Sequence, residues 1–443
     1  MSDPDSGPQP SRPARRERLR GLFLDVAPLR RDRDFRLLWS GQVVSGIGNQ
    51  ITRITLPFQA YALTGSPLAI AAVTAAQLVP IILFALFGGS IADAVDRRRL
   101  LFVTQTVLTA TSLALALIAF GVLGEPPPLV AILVVAFVAA GFGAIDQPAR
   151  SASIARIVPP ERLPAAIALN QLNSQAAQVI GPAVGGLLIA AVGIGGAYLV
   201  DVVTFAASMV AVLLIRPLPP LSGATRPGLA AIAEGLRFAF GHRLLLSTFV
   251  IDLNAMVFGM PAALFPVLAL DVFHVGPEGF GLIAAAPGVG AFLGALLSGW
   301  VGRVRDVGRA VIAAVVAWGA AIAAFGLATF SFPLALAFLA AAGAADVLSA
   351  VFRTTALQLE TPDQLRGRLT ALHSLVVTSG PRLGDLEAAT LASVVGAQVS
   401  VVSGGLLCII GVAVVARLFP ELAAYRPSVG AGEAVTPPEA TAA

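Results

Sequence analysis

Apolar residues gather in twelve long runs, near 37–61, 67–91, 100–121, 129–149, 165–192, 196–215, 244–270, 278–302, 308–329, 332–354, 368–395 and 399–418. Each is about 20 residues or longer, enough to cross a bilayer core as a helix. Short polar intervals separate the runs, except at 216–243. That stretch holds Pro217, Pro219, Pro220 and Pro227, followed by an amphipathic segment from Gly228 to Phe240. The pattern predicts an all-α integral membrane protein of twelve transmembrane helices in two six-helix bundles. It divides the chain into an N-terminal arm (1–34), a first bundle (35–216), a linker (217–243), a second bundle (244–418) and a tail (419–443), with the segment from Pro420 onward expected to be disordered.

Arginine gives the orientation. Apart from Arg53 and Arg382, which lie inside runs, arginines occur at 12–36, 97–99, 150–162, 216–243, 303–309, 353–368, 417 and 426, at the termini or at even-numbered crossings. The intervals after odd-numbered runs, around 62–67, 121–128, 193–196, 271–279 and 330–333, contain none. The positive-inside rule then puts both termini in the cytoplasm and the protein in the cell membrane. The basic cluster at Arg15, Arg16, Arg18 and Arg20 is followed by an apolar run too short, and too soon interrupted by Asp25 and Pro28, to serve as an export signal.

Composition agrees with this reading. The chain of 443 residues is 57% hydrophobic and 12% charged, whereas a soluble domain is about a quarter charged. The net charge of +4 follows from topology and carries no nucleic-acid signal. The single cysteine, Cys408, excludes an intramolecular disulfide, and three scattered histidines offer no metal spacing. No phosphate-binding Gly-rich loop or nucleophile motif is present, so neither ATP hydrolysis nor another enzymatic activity is indicated, and no cofactor is called for. A membrane sensor or membrane-embedded enzyme remains as the alternative class.

The two halves echo one another. Arg36-Leu-Leu-Trp-Ser opens the first run and Arg243-Leu-Leu-Leu-Ser the seventh; Leu56-Pro57-Phe58 is answered by Leu264-Phe265-Pro266. Gly89 with its arginine loop is answered by Gly299, Arg303, Arg305 and Arg309. A duplicated six-helix bundle is a frequent plan of secondary transporters, whose site lies between the halves.

Two motifs sharpen this. Between the second and third runs stands Gly89-Ser-Ile-Ala-Asp93-Ala-Val-Asp96-Arg97-Arg98-Arg99. It resembles the G-x-x-x-D-R-x-G-R-R loop signature of the major facilitator superfamily at Gly89, Asp93, Arg97 and Arg98, with Ala94 and Asp96 as departures. The resemblance implies a charged clasp that closes the cytoplasmic side. In the fifth run, Gly181-Pro182-Ala-Val-Gly185-Gly186 has the small residues that allow close helix approach. It also resembles the antiporter motif of the superfamily's exporters.

Further strings, including Asp146-Gln-Pro-Ala-Arg150, Ile251-Asp252-Leu-Asn, Ala344-Ala-Asp346-Val and Thr361-Pro-Asp-Gln-Leu-Arg366, are similar to the branch containing enterobactin exporters and Tap-like multidrug pumps. The likeness spans about residues 30–425. It implies efflux of a siderophore-like or drug-like small molecule by a monomer working in antiport with protons. The arginine usual in the fourth helix of proton-coupled drug exporters is absent from residues 137–145.

Charges inside the runs are the candidate site, because each costs roughly 2.5–3.5 kcal/mol on insertion scales unless partnered. They are Arg53, Asp201, Asp252, Asp346, Arg353, Arg382, Asp385 and Glu387, with polar Asn49, Gln50, Gln59 and Asn173 nearby. Arg53 would attract an anionic substrate. Asp252, early in the seventh run, is the leading proton carrier, since desolvation favours its neutral form. His373 is a lesser candidate. The repeat predicts that Arg53 and Asp252 approach one cavity from opposite halves. Arg382 and Asp385, three apart, share a helix face, and Asp346 is expected to bridge to Arg353.

Overall fold

The structure is a computed structural model that describes residues 25–122, 124, 126–219, 237–238, 240–361 and 366–426; of residues 85–94, 366–368, 370, 371 and 374 it describes the backbone alone. Among the described residues twelve transmembrane helices form two bundles of six. The first holds α1 (Arg33–Thr64), α2 (Pro67–Ala94), α3 (Arg97–Ala119), α4 (Leu129–Ile157), α5 (163–192) and α6 (194–214). The second holds α7 (Arg243–Phe258), α8 (Gly276–Leu296), α9 (Val307–Leu327), α10 (Phe332–Glu360), α11 (Arg366–Val395) and α12 (Ala397–Leu418).

Local chemistry sets these boundaries. Ser66 caps α2 by accepting from the Leu68 amide, with Pro67 in the first turn, where its missing N–H costs nothing. Asp96 caps α3 through the Arg99 amide at 3.0 Å, so the residue replacing the motif glycine has a structural task. Gly193 (φ 74) separates α5 from α6 and Gly396 (φ 87) separates α11 from α12, a conformation glycine adopts without strain. These glycines are 203 residues apart, the same offset as the starts of α4 (Leu129) and α10 (Phe332). The repeat read from the sequence is therefore present in the backbone.

Among the described residues nine segments are long and apolar enough to cross a membrane, the α5–α6 stretch counting once. Helices α1 and α11 are missing from that set although they have 32 and 30 residues. They carry Asn49, Gln50 and Arg53, and Arg382, Asp385 and Glu387, in mid-span. The two most polar helices are those a water-filled cavity between bundles would need.

The halves meet through α5 with α8, α2 with α11, and the segment 262–267 with α1 and α2. At the end far from the termini one apolar cluster joins Ile54, Phe58 and Ile70 of the first half to Ala263, Leu264 and Phe265 of the second. There the Tyr61 hydroxyl also donates to the Asp271 carboxylate across the halves. At the end bearing the termini the apolar residues divide. Phe35, Leu38, Leu101 and Ala149 cluster within the first half, and Leu245, Phe249, Leu357 and Leu369 within the second. The bundles are thus sealed at the far end and separately packed at the other.

Two expectations need correction. The seventh run is not one helix. It breaks after Phe258, passes through a 3-10 turn (Ala262–Leu264) and ends in a π-turn (Leu268–Val272), because Pro261 supplies no N–H and Pro266 follows it. The tail is not disordered from Pro420. Pro420–Ala424 is a helical turn with Leu422 and Tyr425 buried; Gly308 N–H donates to the Tyr425 carbonyl, and Arg243 and Arg426 pair with Glu421 and Asp306. The amphipathic linker segment lies outside the described residues apart from Arg237, Phe238 and Phe240.

Candidate functional site

The most buried charges in the second half form one network. Asp252 on α7, with its side chain 2% exposed, lies 2.8 Å from Nη2 of Arg353 on α10, itself 5% exposed. His373 of α11 brings Nε2 to 3.5 Å from the other Asp252 oxygen. Asp346, two α10 turns before Arg353, is 4.0 Å from the same Nη2 and is 38% exposed. Three helices therefore meet at a single buried ion pair with one partly exposed carboxylate and one partly exposed imidazole at its edge.

This changes the pairing expected from sequence. Asp252 does not face Arg53 across the cavity. It is paired inside its own half, because Arg353 reaches it more closely than it reaches Asp346. Asp346 keeps its proximity to Arg353, as the longer of the two contacts.

Arg53 on α1 is exposed, and its one hydrogen bond among the described residues is a long 3.5 Å contact from Nη1 to Gln50 Oε1. Asn49 is exposed beside it, while Gln50 is buried against Gly181 of α5. Glu387 is half-buried, two positions beyond Asp385 and so on a different helix face.

Asp385 and Arg382 are not a self-neutralising pair. Oδ1 of Asp385 accepts the Ala263 amide at 2.8 Å, and Arg382 Nη1 donates to the Thr378 carbonyl at 2.6 Å. The α7 break frees backbone groups in mid-membrane, and Asp385 satisfies one of them. Trp318 satisfies another by donating to the Gly259 carbonyl at 2.8 Å. Asp385→Ala should therefore lower the thermal midpoint of the purified protein, by an unmet amide worth roughly 1–3 kcal/mol, while Asp385→Asn retains an acceptor and should change it much less. Equal midpoints for the two variants would remove this role.

Two buried groups of the first half were under-read. Asp201, 0% exposed, accepts from Thr52 (2.6 Å), Ser112 (2.7 Å) and Thr204 (3.2 Å), tying α1, α3 and α6 together. Asp146 on α4 binds Arg150 at 3.1 Å and accepts from Thr104 and Gln105 of α3. Arg150 lies 203 residues before Arg353, so each half buries an arginine at the same point of its fourth helix. The i,i+4 spacing of Asp146 and Arg150, read together with the repeat, was the available signal.

The two motifs resolve differently. For the clasp, Gly89 and Asp93 belong to the backbone of α2, but their side chains lie outside the described residues. Arg97 reaches the Ala152 carbonyl at 3.3 Å, and Arg98 donates to the Val212 and Leu213 carbonyls at the end of α6. In the antiporter-like motif, a Cβ on Gly181 would stand 2.4 Å from Gln50 Cβ, and one on Gly185 2.7 Å from Ile54 Cδ1. A Cβ on Gly186 would stand 2.5 Å from Gly281 Cα of α8. With Pro182 between them, these glycines press α5 against α1 on one face and against the other half on another.

The profile of a family described as transmembrane secretion effector matches residues 24–428. The multidrug efflux pump Tap of Mycolicibacterium fortuitum is 29% identical over 404 residues, covering 87% of this chain and 95% of that protein. The enterobactin exporter EntS of Shigella flexneri is 26% identical over 425 residues, covering 95% and 98%. Among solved structures, a bacterial homologue of the iron transporter ferroportin in an inward-facing state aligns with a TM-score of 0.67 at 16% identity, over 89% of this chain and 99% of that one. A POT family transporter bound to 5-aminolevulinic acid aligns with a TM-score of 0.68 at 12% identity, over 88% and 97%. At such identities these structures speak for the fold alone.

Proposed function

The chain belongs to the transmembrane secretion effector family of the major facilitator superfamily, and from that premise we propose that it exports a small molecule by alternating access, in antiport with protons. It works as a monomer in the cell membrane with both termini in the cytoplasm, which makes the separately packed end the loading side. The cargo is siderophore-like or drug-like, in keeping with relatives that are an enterobactin exporter and a multidrug pump. Family and fold are those of transporters, which supports a role in transport over catalysis.

The observation that carries proton coupling is the buried Asp252–Arg353 pair with His373 and Asp346 at its edge. While Asp252 is ionised, Arg353 is neutralised and α7 is fastened to α10. A proton reaching Asp252, relayed by the partly exposed His373 or Asp346, removes that partner. Arg353 then turns to Asp346, 4.0 Å away, and the fastening between α7 and its neighbours is reset. The cycle thus links a proton to a helix contact rather than to an exposed charge.

In proteoliposomes an imposed pH gradient should drive efflux. Asp252→Asn should abolish that drive while preserving exchange of labelled for unlabelled cargo across equal pH. Efflux driven by a sodium gradient alone, or pH-driven efflux undiminished in Asp252→Asn, would sink the antiport reading. Mass spectrometry of the medium after gene deletion separates a dedicated cargo, whose signal disappears, from broad drug efflux, in which drug sensitivity rises instead.

A further inference from the structure

We propose that residues 420–426 are a strap that fixes the α8–α9 loop, so that the second half can close the end bearing the termini. The strap's effect on efflux rests on the exporter reading above.

The strap has a counterpart in the first half. After α6, the Leu218 carbonyl accepts the amide of Arg97, the first residue of α3, at 3.1 Å. After α12, the Tyr425 carbonyl accepts the amide of Gly308, in the first turn of α9, also at 3.1 Å. Leu218 and Tyr425 are 207 residues apart, as are Arg36 and Arg243, which open the first and seventh runs. The opening amides of a helix have no partner within it, so each strap satisfies a donor of its half's third helix. Each strap is also ion-paired to the first turn of its half's first helix. Arg216 lies 3.5 Å from Asp34 of α1, and Glu421 lies 2.6 Å from Arg243 of α7. The charges are exchanged between the halves, but the tie is the same.

Packing holds the second strap more than charge does. Leu422 is 1% and Tyr425 8% exposed, and the turn Pro420–Ala424 packs against α7, α9 and α12. The ion pairs at Glu421 and Arg426 lie at the surface, where such pairs contribute little. The seat admits the strap only with glycine at 308. A Cβ there would stand 1.6 Å from the Leu422 carbonyl oxygen and 3.2 Å from Tyr425 Cβ. Arg426 pairs with Asp306 at 2.5 Å, so the strap runs from the end of α12 to the residue that precedes α9.

The segments held in this way are equivalent. The first strap and the end of α6 hold Arg97 and Arg98, on the loop between α2 and α3. The second holds Asp306 and Gly308, where the loop carrying Arg303 and Arg305 enters α9. Both loops stand at the end where the halves pack separately. Closing that end brings one bundle against the other; a loop fastened to its own bundle moves with it, whereas an unfastened loop absorbs the motion.

The test compares the full-length protein with chains ending at residue 426 and at residue 419, each with and without Gly308→Ala. Spin labels at Val95→Cys and Arg305→Cys, both exposed, read the separation of the two loops in nanodiscs in a Cys408→Ala background. The chain ending at 426 should match the full-length protein. The chain ending at 419 should lose about 3 °C or more of thermal midpoint. It should also broaden the label distances and slow ethidium efflux from proteoliposomes by about fivefold. Gly308→Ala should have the same effects in the full-length chain, by pushing the strap off its seat. In the chain ending at 419 it should leave the midpoint unchanged or raise it, because the strap atoms nearest that methyl are gone and alanine favours a helix over glycine. This change of sign separates loss of the strap from damage to α9. A lowered midpoint for Gly308→Ala in both backgrounds, unchanged label distances without residues 420–426, or equal losses in the chains ending at 426 and 419 overturns the proposal. Broadened distances and the change of sign, with no ethidium transport by the full-length chain, keep the strap and count against the exporter. Ethidium efflux undiminished in every variant keeps the exporter and overturns the strap's part in closure.

Discussion

Arg353→Ala is expected to destabilise the protein by about 3–5 kcal/mol and to abolish coupled transport, the largest effect of any single side-chain truncation in the second half. Arg353 and Asp252 are both almost completely removed from solvent and lie 2.8 Å apart. Removing the cation leaves the Asp252 carboxylate buried without its closest partner, and His373 at 3.5 Å can compensate only when protonated. The double variant Arg353→Met with Asp252→Leu should recover most of the stability, because an apolar pair of similar size leaves no orphaned charge, yet it should not recover pH-driven efflux. Thermal denaturation in detergent reads the first effect and proteoliposome efflux the second. A single variant as stable as wild type would show that the pair contributes nothing to the fold, and a double variant with normal pH-driven efflux would remove the network from coupling.

The sequence disclosed the scaffold because the forces that build it are one-dimensional. A helix across a bilayer must satisfy its own backbone, so each span appears as an uninterrupted apolar run, and arginines mark the loops between. Turn chemistry was legible too, in Ser66-Pro67 at the start of α2 and Asp96 at the start of α3. The break in α7 was harder to see, since Gly259, Pro261 and Pro266 also fit a kinked continuous helix. What decides for a break is the donor and acceptor waiting on α9 and α11, Trp318 and Asp385, which lie about 60 and 120 residues away.

The candidate residues show the same boundary. That Arg53, Asp252, Asp346, Arg382 and Asp385 needed partners followed from the cost of charge in a membrane. Which partner each would take did not, because helical spacing constrains only residues on one helix. Arg382 and Asp385 share a face by spacing, and both turn to backbone groups instead. Asp252 and Arg353 are 101 positions apart, and their meeting depends on the packing of α7 against α10. The symmetric placement of Arg150 and Arg353 was readable once the repeat offset was applied to the fourth helix of each half rather than to the first.

Gly186→Val is expected to bias the protein toward a far-end-open state and to reduce efflux by about tenfold or more, because the two halves touch there backbone to backbone. A Cβ at position 186 would lie 2.5 Å from Gly281 Cα and 2.6 Å from the Pro277 carbonyl oxygen, and the reciprocal Cβ on Gly281 would lie 2.9 Å from Gly186 Cα. Carbon atoms in contact prefer a separation of about 3.5–4.0 Å, so α5 and α8 must part by roughly 1 Å for a single methyl and by more for valine. No flexible side chain is available to yield, since the nearest neighbours at that point are backbone atoms of α8. Overpacking of this kind costs about 1–3 kcal/mol, and the cost falls only on the conformation in which α5 and α8 are in contact at this depth, so it appears as a population shift. The shift can be read from spin labels at Val122→Cys and Phe330→Cys, exposed at the far ends of the two halves, in a background with Cys408→Ala. Longer inter-label distances and slowed efflux at wild-type protein levels are the expected result for Gly186→Val, with Gly186→Ala intermediate. Gly143→Ala is the control, since a Cβ at position 143 meets nothing within 4 Å and should leave both readings unchanged. Unaltered distances with full efflux in Gly186→Val would mean that the α5–α8 contact is not part of the closed gate.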